Sequence, residues 1–247
     1  MRGNSAFIGT LQHLMDVEGD AMLFKYDPGS AHETFKKQGY VHLKDVLSDE
    51  FVSELKGFYE DSQSNQLNEA QNWKIYGKKR QYVFEFKSQE AANEFRDGLS
   101  ALTGIDKDGF TISERHLKVY DEAADPWPAP HKDRAASAVS IGLPVHLSEG
   151  STVCVFPELQ FGPNTEERAV FLTDRDHPDL EHVYQKETAV MLHEEIGDLI
   201  VFLGSSIFHE RVKPAGTAIL YIKANGDGRD PLGENIFGEK EAEVTPA

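Results

Sequence analysis

The chain has 247 residues, a net charge of −17 at pH 7 and a single cysteine, a length compatible with one sandwich-type domain over residues 1–247. Its negative charge argues against nucleic acid or an anionic membrane as a partner through bulk electrostatics. The sequence contains no apolar run of about eighteen residues and its first twenty residues resemble a signal peptide poorly, so we expect a cytoplasmic protein.

Residues 31–105 are predicted to be rich in helix. The segment HETFKKQ has helical character and stops at Gly39, and a strand is predicted over residues 40–47. Ser48 is in position to cap a second helix, with Phe51 and Leu55 on one face. The segment SQEAANEFRDGLSALTG predicts a further helix that ends at Gly104.

From residue 110 to residue 225 the pattern is almost entirely that of strands, which predicts a small β-sandwich. The stretch 157–186 is too long for a tight hairpin, and we interpret it as a lid or substrate loop. The tail 238–247 is charged and is expected to be mobile. The predicted strands cover residues 111–120, 138–147, 151–156, 187–193, 198–203, 209–213 and 217–224.

Alternation within two of these strands assigns their faces. In 138–147 the odd positions, from Val139 to Leu147, are all apolar, which predicts that they pack against helices while small even residues line an open interior. In 217–224 the even positions are apolar, and the mixed odd face includes Lys223. A lysine inside a sandwich requires an anionic partner.

Candidate metal ligands stand at His131, Asp133 and His209. Residues i and i+2 of a strand share a face, so His131 and Asp133 can point into one cavity, which His209 would reach from a distant strand. Two imidazoles and one carboxylate on one side of a metal form the facial set of non-haem Fe(II) oxygenases. An HxD pattern arises by chance about once in such a chain. The prediction of a metal site therefore rests on the strand-like sequence around His131 and His209.

The remaining candidates have simpler explanations. A second HxD, at His177 and Asp179, lies with His182 in an acidic stretch that is more typical of a solvated loop than of a second metal site. Cys154 is expected to be a small core residue. The aromatic residues Trp127 and Phe156 are expected in the core rather than around a substrate.

Two separated pieces of the sequence resemble the Fe(II)/2-oxoglutarate-dependent oxygenases, and within them the phytanoyl-CoA dioxygenase-like group. They are FKKQGYVHLKDVLSDEFVSELKGFYE and the pattern PHKD…GDLIVFLGSSIFH…KPAGTAILYI, which together frame residues 34–224. The resemblance implies a double-stranded β-helix, also called a cupin-like jelly roll, with flanking helices. It also implies that His131, Asp133 and His209 bind Fe(II), that 2-oxoglutarate is the co-substrate, and that O2 is consumed.

The same resemblance implies the reaction: oxidation of a small-molecule substrate with release of succinate and CO2. Related halogenases have a small residue in place of the carboxylate ligand, so Asp133 favours hydroxylation, desaturation or ring formation. Such enzymes usually carry an arginine ten to fifteen positions after the distal histidine, to bind the far carboxylate of 2-oxoglutarate. Here the inward-facing cation in that window is Lys223, with Lys118 on the preceding strand as second choice.

Two other classes of protein fit the pattern. One is a cupin-like metal-dependent dioxygenase that acts directly on a chelating substrate without 2-oxoglutarate. The other is a non-catalytic sandwich module in which the HxD is accidental. The sequence identifies neither the substrate, the carbon that is oxidised, nor the oligomeric state.

Overall fold

A computed structural model describes residues 23–65, 79–122, 124, 130–157, 162–171 and 189–238. In the described part of the first half of the chain there are three α-helices: α1 (His32–Gln38), α2 (Asp49–Asn65) and α3 (Gln89–Thr103). The residues predicted to cap these helices lie at their ends. Gly39 and Gly104 end α1 and α3 with positive φ angles of 79° and 78°, and the Phe51 amide donates to the Ser48 hydroxyl at the start of α2.

Eleven strands within the described residues form two antiparallel sheets. The six-stranded major sheet has the order β1-β9-β5-β11-β3-β2, and the five-stranded minor sheet has the order β7-β4-β10-β6-β8. The strands are β1 (Tyr40–Leu43), β2 (Lys79–Val83), β3 (Thr111–Tyr120), β4 (His131–Lys132), β5 (Val139–His146), β6 (Thr152–Phe156), β7 (Val170–Phe171), β8 (Val190–Leu192), β9 (Leu199–Phe202), β10 (Phe208–Val212) and β11 (Ala218–Asn225).

The two sheets and their flanking helices form the predicted jelly roll. The largest apolar cluster lies where the outer face of the major sheet packs against the helices. From β5 it contains the predicted odd-numbered residues Val139, Ile141, Leu143 and Val145, and from the helices it contains Phe51, Leu55, Phe95 and Leu99. The predicted outer face of β5 is therefore confirmed. A second cluster, including Val153, Val155 and Phe202, forms part of the interior between the sheets.

Several boundaries differ from the prediction. The strand expected over 40–47 ends at Leu43, because Asp45 adopts a positive φ of 49° that a continuous strand does not allow. Within the predicted lid, residues 162–171 are anchored beside β4: Val170 and Phe171 form β7 and pair with Lys132 and His131. Residues 158–161 and 172–186 of that lid, Trp127 and the tail 239–247 lie outside the described residues.

No helix among the described residues is both long enough and apolar enough to cross a membrane.

Candidate metal centre

The two candidate histidines lie opposite each other on neighbouring strands. His131 of β4 pairs in register with His209 of β10, so both side chains leave the minor sheet on the same face. Their ring centroids are 4.6 Å apart. The HxD motif contains only two of the candidate ligands. The pairing of β4 with β10 brings the third, His209, beside them from a distant part of the sequence.

Asp133 completes the group just beyond the end of β4. Its carboxylate oxygens lie 3.8 Å from His131 Nε2 and 3.6 Å from His209 Nε2. One ligand atom from each of the three residues falls within 4.8 Å of the others, and among the described residues this is the one such cluster of His, Cys, Asp or Glu. The structure therefore brings together the three residues that the sequence singled out.

The backbone around Asp133 is fixed by the loop after β9 and by residue 164. The Asp133 amide donates to the Gly204 carbonyl at 2.9 Å, and the Asn164 side chain donates to the Asp133 carbonyl at 2.8 Å. The Ser140 hydroxyl donates to Asp133 Oδ2 from the inner face of β5. Asp133 is thus oriented although it lies outside a strand, and Ser140 is one of the small even residues of 138–147 that were predicted to face the interior.

Gly204 lies directly against this carboxylate. A Cβ atom at residue 204 would approach Ser140 Oγ at 2.3 Å and Asp133 Oδ2 at 2.7 Å, both shorter than real Cβ contacts. A side chain at this position would therefore displace the carboxylate or the serine that orients it. Gly204 was not among the residues predicted for the site, although a glycine directly after a buried strand is a recognisable sign of close backbone approach.

His209 is oriented for metal binding through its other ring nitrogen. His209 Nδ1 lies 3.0 Å from the Ile207 carbonyl oxygen, which requires a proton on Nδ1 and leaves the Nε2 lone pair directed toward Asp133 and His131. Burial lowers the pKa of His209, which favours the neutral, ligating form. Burial acts to raise the pKa of Asp133, but opposing interactions, foremost the attraction of the Lys223 ammonium, outweigh it and hold this pKa well below its usual range.

This donor set fits a divalent transition metal. Two neutral imidazoles and one ionised carboxylate converge from one side, which is the facial arrangement associated with non-haem Fe(II). A hydrogen-bonded histidine and a hydrogen-bonded carboxylate are the outer contacts that such sites normally carry.

Lys223 points into the interior, as predicted, and its ammonium group contacts Asp133 Oδ1. The buried lysine therefore has a protein carboxylate as its partner, so its burial by itself does not require a bound ligand. Burial lowers the pKa of Lys223, and Asp133 opposes that effect. The second candidate, Lys118, lies 2.6 Å from Glu114 Oε1.

A chain of buried charges extends from Lys118 along the inner face of β3. Glu114, the partner of Lys118, also lies 3.7 Å from the Arg134 guanidinium. His116 Nε2 lies 2.6 Å from Glu234 Oε1, in the segment after β11. Burial raises the pKa of Glu114, but Lys118 and Lys223 outweigh it and leave that pKa far below its usual range. No functional role was predicted from the sequence for Glu114 or His116.

A separate ion pair lies on the inner face of β10. Arg211, two residues after His209, lies 2.5 Å from Glu194 Oε1. Its guanidinium also donates to the Tyr221 hydroxyl at 3.1 Å and to the Ser151 hydroxyl at 3.2 Å. This arginine was also missed, although the parity of β10 places it on the same face as His209. It joins the minor sheet to β11 of the major sheet.

The remaining predicted residues lie away from this centre or outside the described chain. Phe156 and Cys154 are fully buried and pack with Phe208 in an apolar cluster, as predicted for core residues. Burial raises the pKa of the Cys154 thiol to about 12. His177, Asp179 and His182 lie outside the described residues.

No family model matches the sequence, and no curated protein matches it either. Solved structures match the fold. The non-heme alpha ketoglutarate dependent epimerase SnoN from nogalamycin biosynthesis aligns with 86% of this chain and 96% of its own, at 12% identity and a TM-score of 0.55. HygX from Streptomyces hygroscopicus, with nickel and 2-oxoglutarate bound, aligns with 79% of this chain and 85% of its own, at 12% identity and a TM-score of 0.53.

A third match is EctD from S. alaskensis, solved with 2-oxoglutarate and 5-hydroxyectoine. It covers 80% of this chain and 75% of its own at 13% identity, with a TM-score of 0.52. At these identities the matches show a common fold, which is that of 2-oxoglutarate-dependent non-haem oxygenases. They also confirm the jelly-roll prediction.

Proposed function

We propose that this chain is an Fe(II)- and 2-oxoglutarate-dependent oxygenase that oxidises a small-molecule substrate and releases succinate and CO2. The observation that carries the proposal is the convergence of His131, Asp133 and His209 within 4.8 Å on the inner face of a jelly roll. Several proteins of the same fold were solved with 2-oxoglutarate bound, and one was solved with hygromycin B, a small molecule.

Each residue of the centre has a definite task in this proposal. His131, Asp133 and His209 hold the metal, which when bound supplies the activation of O2 that oxidative decarboxylation of 2-oxoglutarate requires. The Ile207 carbonyl keeps the proton of His209 on Nδ1. Ser140 orients the Asp133 carboxylate, and Gly204 leaves room for it. These contacts hold the side chains of His209 and Asp133 in place around the proposed metal position.

Lys223 is the proposed partner of a 2-oxoglutarate carboxylate, with Lys118 as the alternative. Two observations favour Lys223. It faces the interior beside the metal ligands, and its carboxylate partner is the one that a metal ion would neutralise. The Glu114 partner of Lys118, by contrast, is not a metal ligand. Lysine would bind the co-substrate as a point charge, without the bidentate geometry of an arginine.

Hydroxylation is the proposed outcome, and desaturation or ring formation would use the same ligands. The carboxylate ligand at position 133 leaves no open place for a halide. The structures of this fold include a prolyl-4-hydroxylase, a carbocyclase and an epimerase, so the fold is compatible with several outcomes.

A second candidate is a metal-dependent dioxygenase that acts on a chelating substrate without 2-oxoglutarate. One observation favours it: among the described residues, the inner-face cations Lys118, Lys223 and Arg211 each lie beside a protein carboxylate. In that case no cation would be reserved for a co-substrate.

Anaerobic titration distinguishes the two candidates. The protein is loaded with Fe(II) and titrated with 2-oxoglutarate, and we expect a weak visible charge-transfer band, followed by succinate release when a library of small molecules is supplied with O2. The His209→Ala variant should lose the band and the succinate, because one metal ligand is missing, whereas His177→Ala should keep both. A band that His209→Ala retains contradicts the metal site. Iron binding without any 2-oxoglutarate band favours the second candidate.

A further inference from the structure

The contact between Lys223 and Asp133 joins a fixed cation to a carboxylate that is proposed to bind a metal. Both side chains are buried. β11 is hydrogen-bonded to β3 on one side and to β5 on the other, so the lysine extends from a rigid central strand. Lys223 therefore neutralises the same negative charge that a metal ion would neutralise.

We propose that Lys223 changes partner when the metal binds: it holds Asp133 in the metal-free protein and turns to a carboxylate of 2-oxoglutarate in the complex. This inference rests on the proposed function. Two cations on one buried carboxylate repel each other strongly, because little water screens them. A metal alone must bind against the charge of Lys223, whereas the dianionic co-substrate relieves that repulsion. Metal and co-substrate consequently bind with positive cooperativity.

The neighbours of Lys223 support an incoming anion as its second partner. Across β11, Lys223 is flanked in register by Glu114 of β3 and Ser140 of β5. Glu114 already lies 2.6 Å from Lys118 and 3.7 Å from Arg134. Ser140 is a neutral group that donates to Asp133. Once a metal takes Asp133, the positive charge on this face exceeds what Glu114 balances, and an anionic ligand is required.

Isothermal titration with Mn(II), which binds such donor sets without turnover, tests this exchange. Its dissociation constant is measured with and without saturating 2-oxoglutarate. In the wild-type protein, we expect 2-oxoglutarate to tighten Mn(II) binding. In Lys223→Gln, which removes the positive charge but keeps a polar side chain, Mn(II) alone should bind about tenfold more tightly than in the wild type. The factor by which 2-oxoglutarate tightens Mn(II) binding should be smaller in this variant than in the wild type, again by about tenfold. Couplings between two binding sites are typically in the range of roughly 5- to 150-fold.

Lys132→Gln is the matched control. Lys132 lies between two of the metal ligands, but its ammonium points away from them to the Gly162 carbonyl, at 2.6 Å. We expect this variant to bind Mn(II) as the wild type does. Lys223→Arg keeps the positive charge, so without 2-oxoglutarate it should bind Mn(II) about as weakly as the wild type does. Lys223→Met repeats the test if the glutamine variant does not fold.

Two outcomes separate this inference from the proposed function. If Mn(II) alone binds Lys223→Gln no more tightly than the wild type, the competition between lysine and metal does not exist and the inference is overturned. If the wild type binds Mn(II) but never 2-oxoglutarate, the proposed function fails. In that case tighter metal binding by Lys223→Gln still demonstrates the competition, while the proposed second partner of Lys223 is rejected.

Discussion

The two faces of β11 are buried to nearly the same degree but have opposite chemistry. Leu220 and Ile222 on the outer face are 0% exposed and pack against the helices. Tyr221 and Lys223 on the inner face are 8% and 7% exposed, and they contact Arg211 and Asp133. One strand thus forms a wall of the apolar core on one side and part of a charged interior on the other.

This difference shows that burial alone does not tell a stabilising residue from a functional one. Burying an apolar side chain is favourable by about 25 cal/mol per Å² of surface removed from water. Burying an ion pair gives little or no net stability, because desolvation offsets the attraction between its charges. The outer face therefore stabilises the fold. The inner face instead buries charges whose net contribution to stability is small, which is the pattern expected of a binding cavity.

The largest expected effect is on stability. Leu220→Ala should lower the free energy of unfolding by about 2 to 5 kcal/mol, because it opens a cavity in the main core. Urea denaturation followed by circular dichroism measures this change. Ile196→Ala, at a position that is 45% exposed, should cost less than about 0.5 kcal/mol. Folded Leu220→Ala should bind Mn(II) like the wild type. Weakened binding there would mean that the two faces of β11 are coupled.

A smaller effect is expected from crowding the inner face without removing a charge. Gly204→Ala places a methyl group against Ser140 Oγ and Asp133 Oδ2, so Mn(II) affinity should fall by about tenfold, or about 1.4 kcal/mol. Calorimetry measures the affinity. Gly57→Ala is the control, since no atom lies within 4 Å of a Cβ there. It should leave affinity unchanged and stabilise α2 by about 0.5 to 1 kcal/mol. Unaltered affinity in Gly204→Ala would show that Asp133 adjusts freely.

The smallest expected effect concerns acid stability. The pKa of Glu114 is depressed in the folded protein, so its contribution to stability is fully present well above the unfolded pKa of about 4.3 and is lost as the pH falls below that value. Glu114→Gln should therefore reduce the slope of unfolding free energy against pH in this acidic range, by up to about 1.4 kcal/mol per pH unit. Urea denaturation between pH 6 and pH 3 measures the slope. An unchanged slope would mean that Glu114 is not ionised when buried.

Local patterns in the sequence determined most of the fold. Strand patterns placed β3 at residues 111–120, as observed, and placed β5, β6, β8, β9, β10 and β11 to within a few residues, whereas the two-residue strands β4 and β7 were not among the predicted strands. Capping residues located the ends of the helices. Alternation also assigned Lys223 to the inner face correctly. These features are predictable because strand parity and helix capping depend on residues close together in the chain.

Short-range patterns were less informative where a long-range contact decides the structure. The HxD motif occurs twice in this chain, and only strand context distinguished His131 from His177. The end of β1 at Leu43 depends on a turn at Asp45. That turn lies beside the loop before β9, where the Asp45 amide donates to Asp198 Oδ1 at 2.8 Å. Such a contact, between residues 153 positions apart, leaves no local signature.

The sequence by itself determined most of the strands and helices, the inner and outer faces of β5 and β11, and the three candidate ligands. Only the tertiary structure decided what each buried charge meets. The register of β4 and β10 sets His131 opposite His209. Folding also pairs Lys223 with Asp133, 90 residues away, and His116 with Glu234, 118 residues away. A buried charge is stabilised by the atoms around it, and those neighbours are set by how the two sheets pack together.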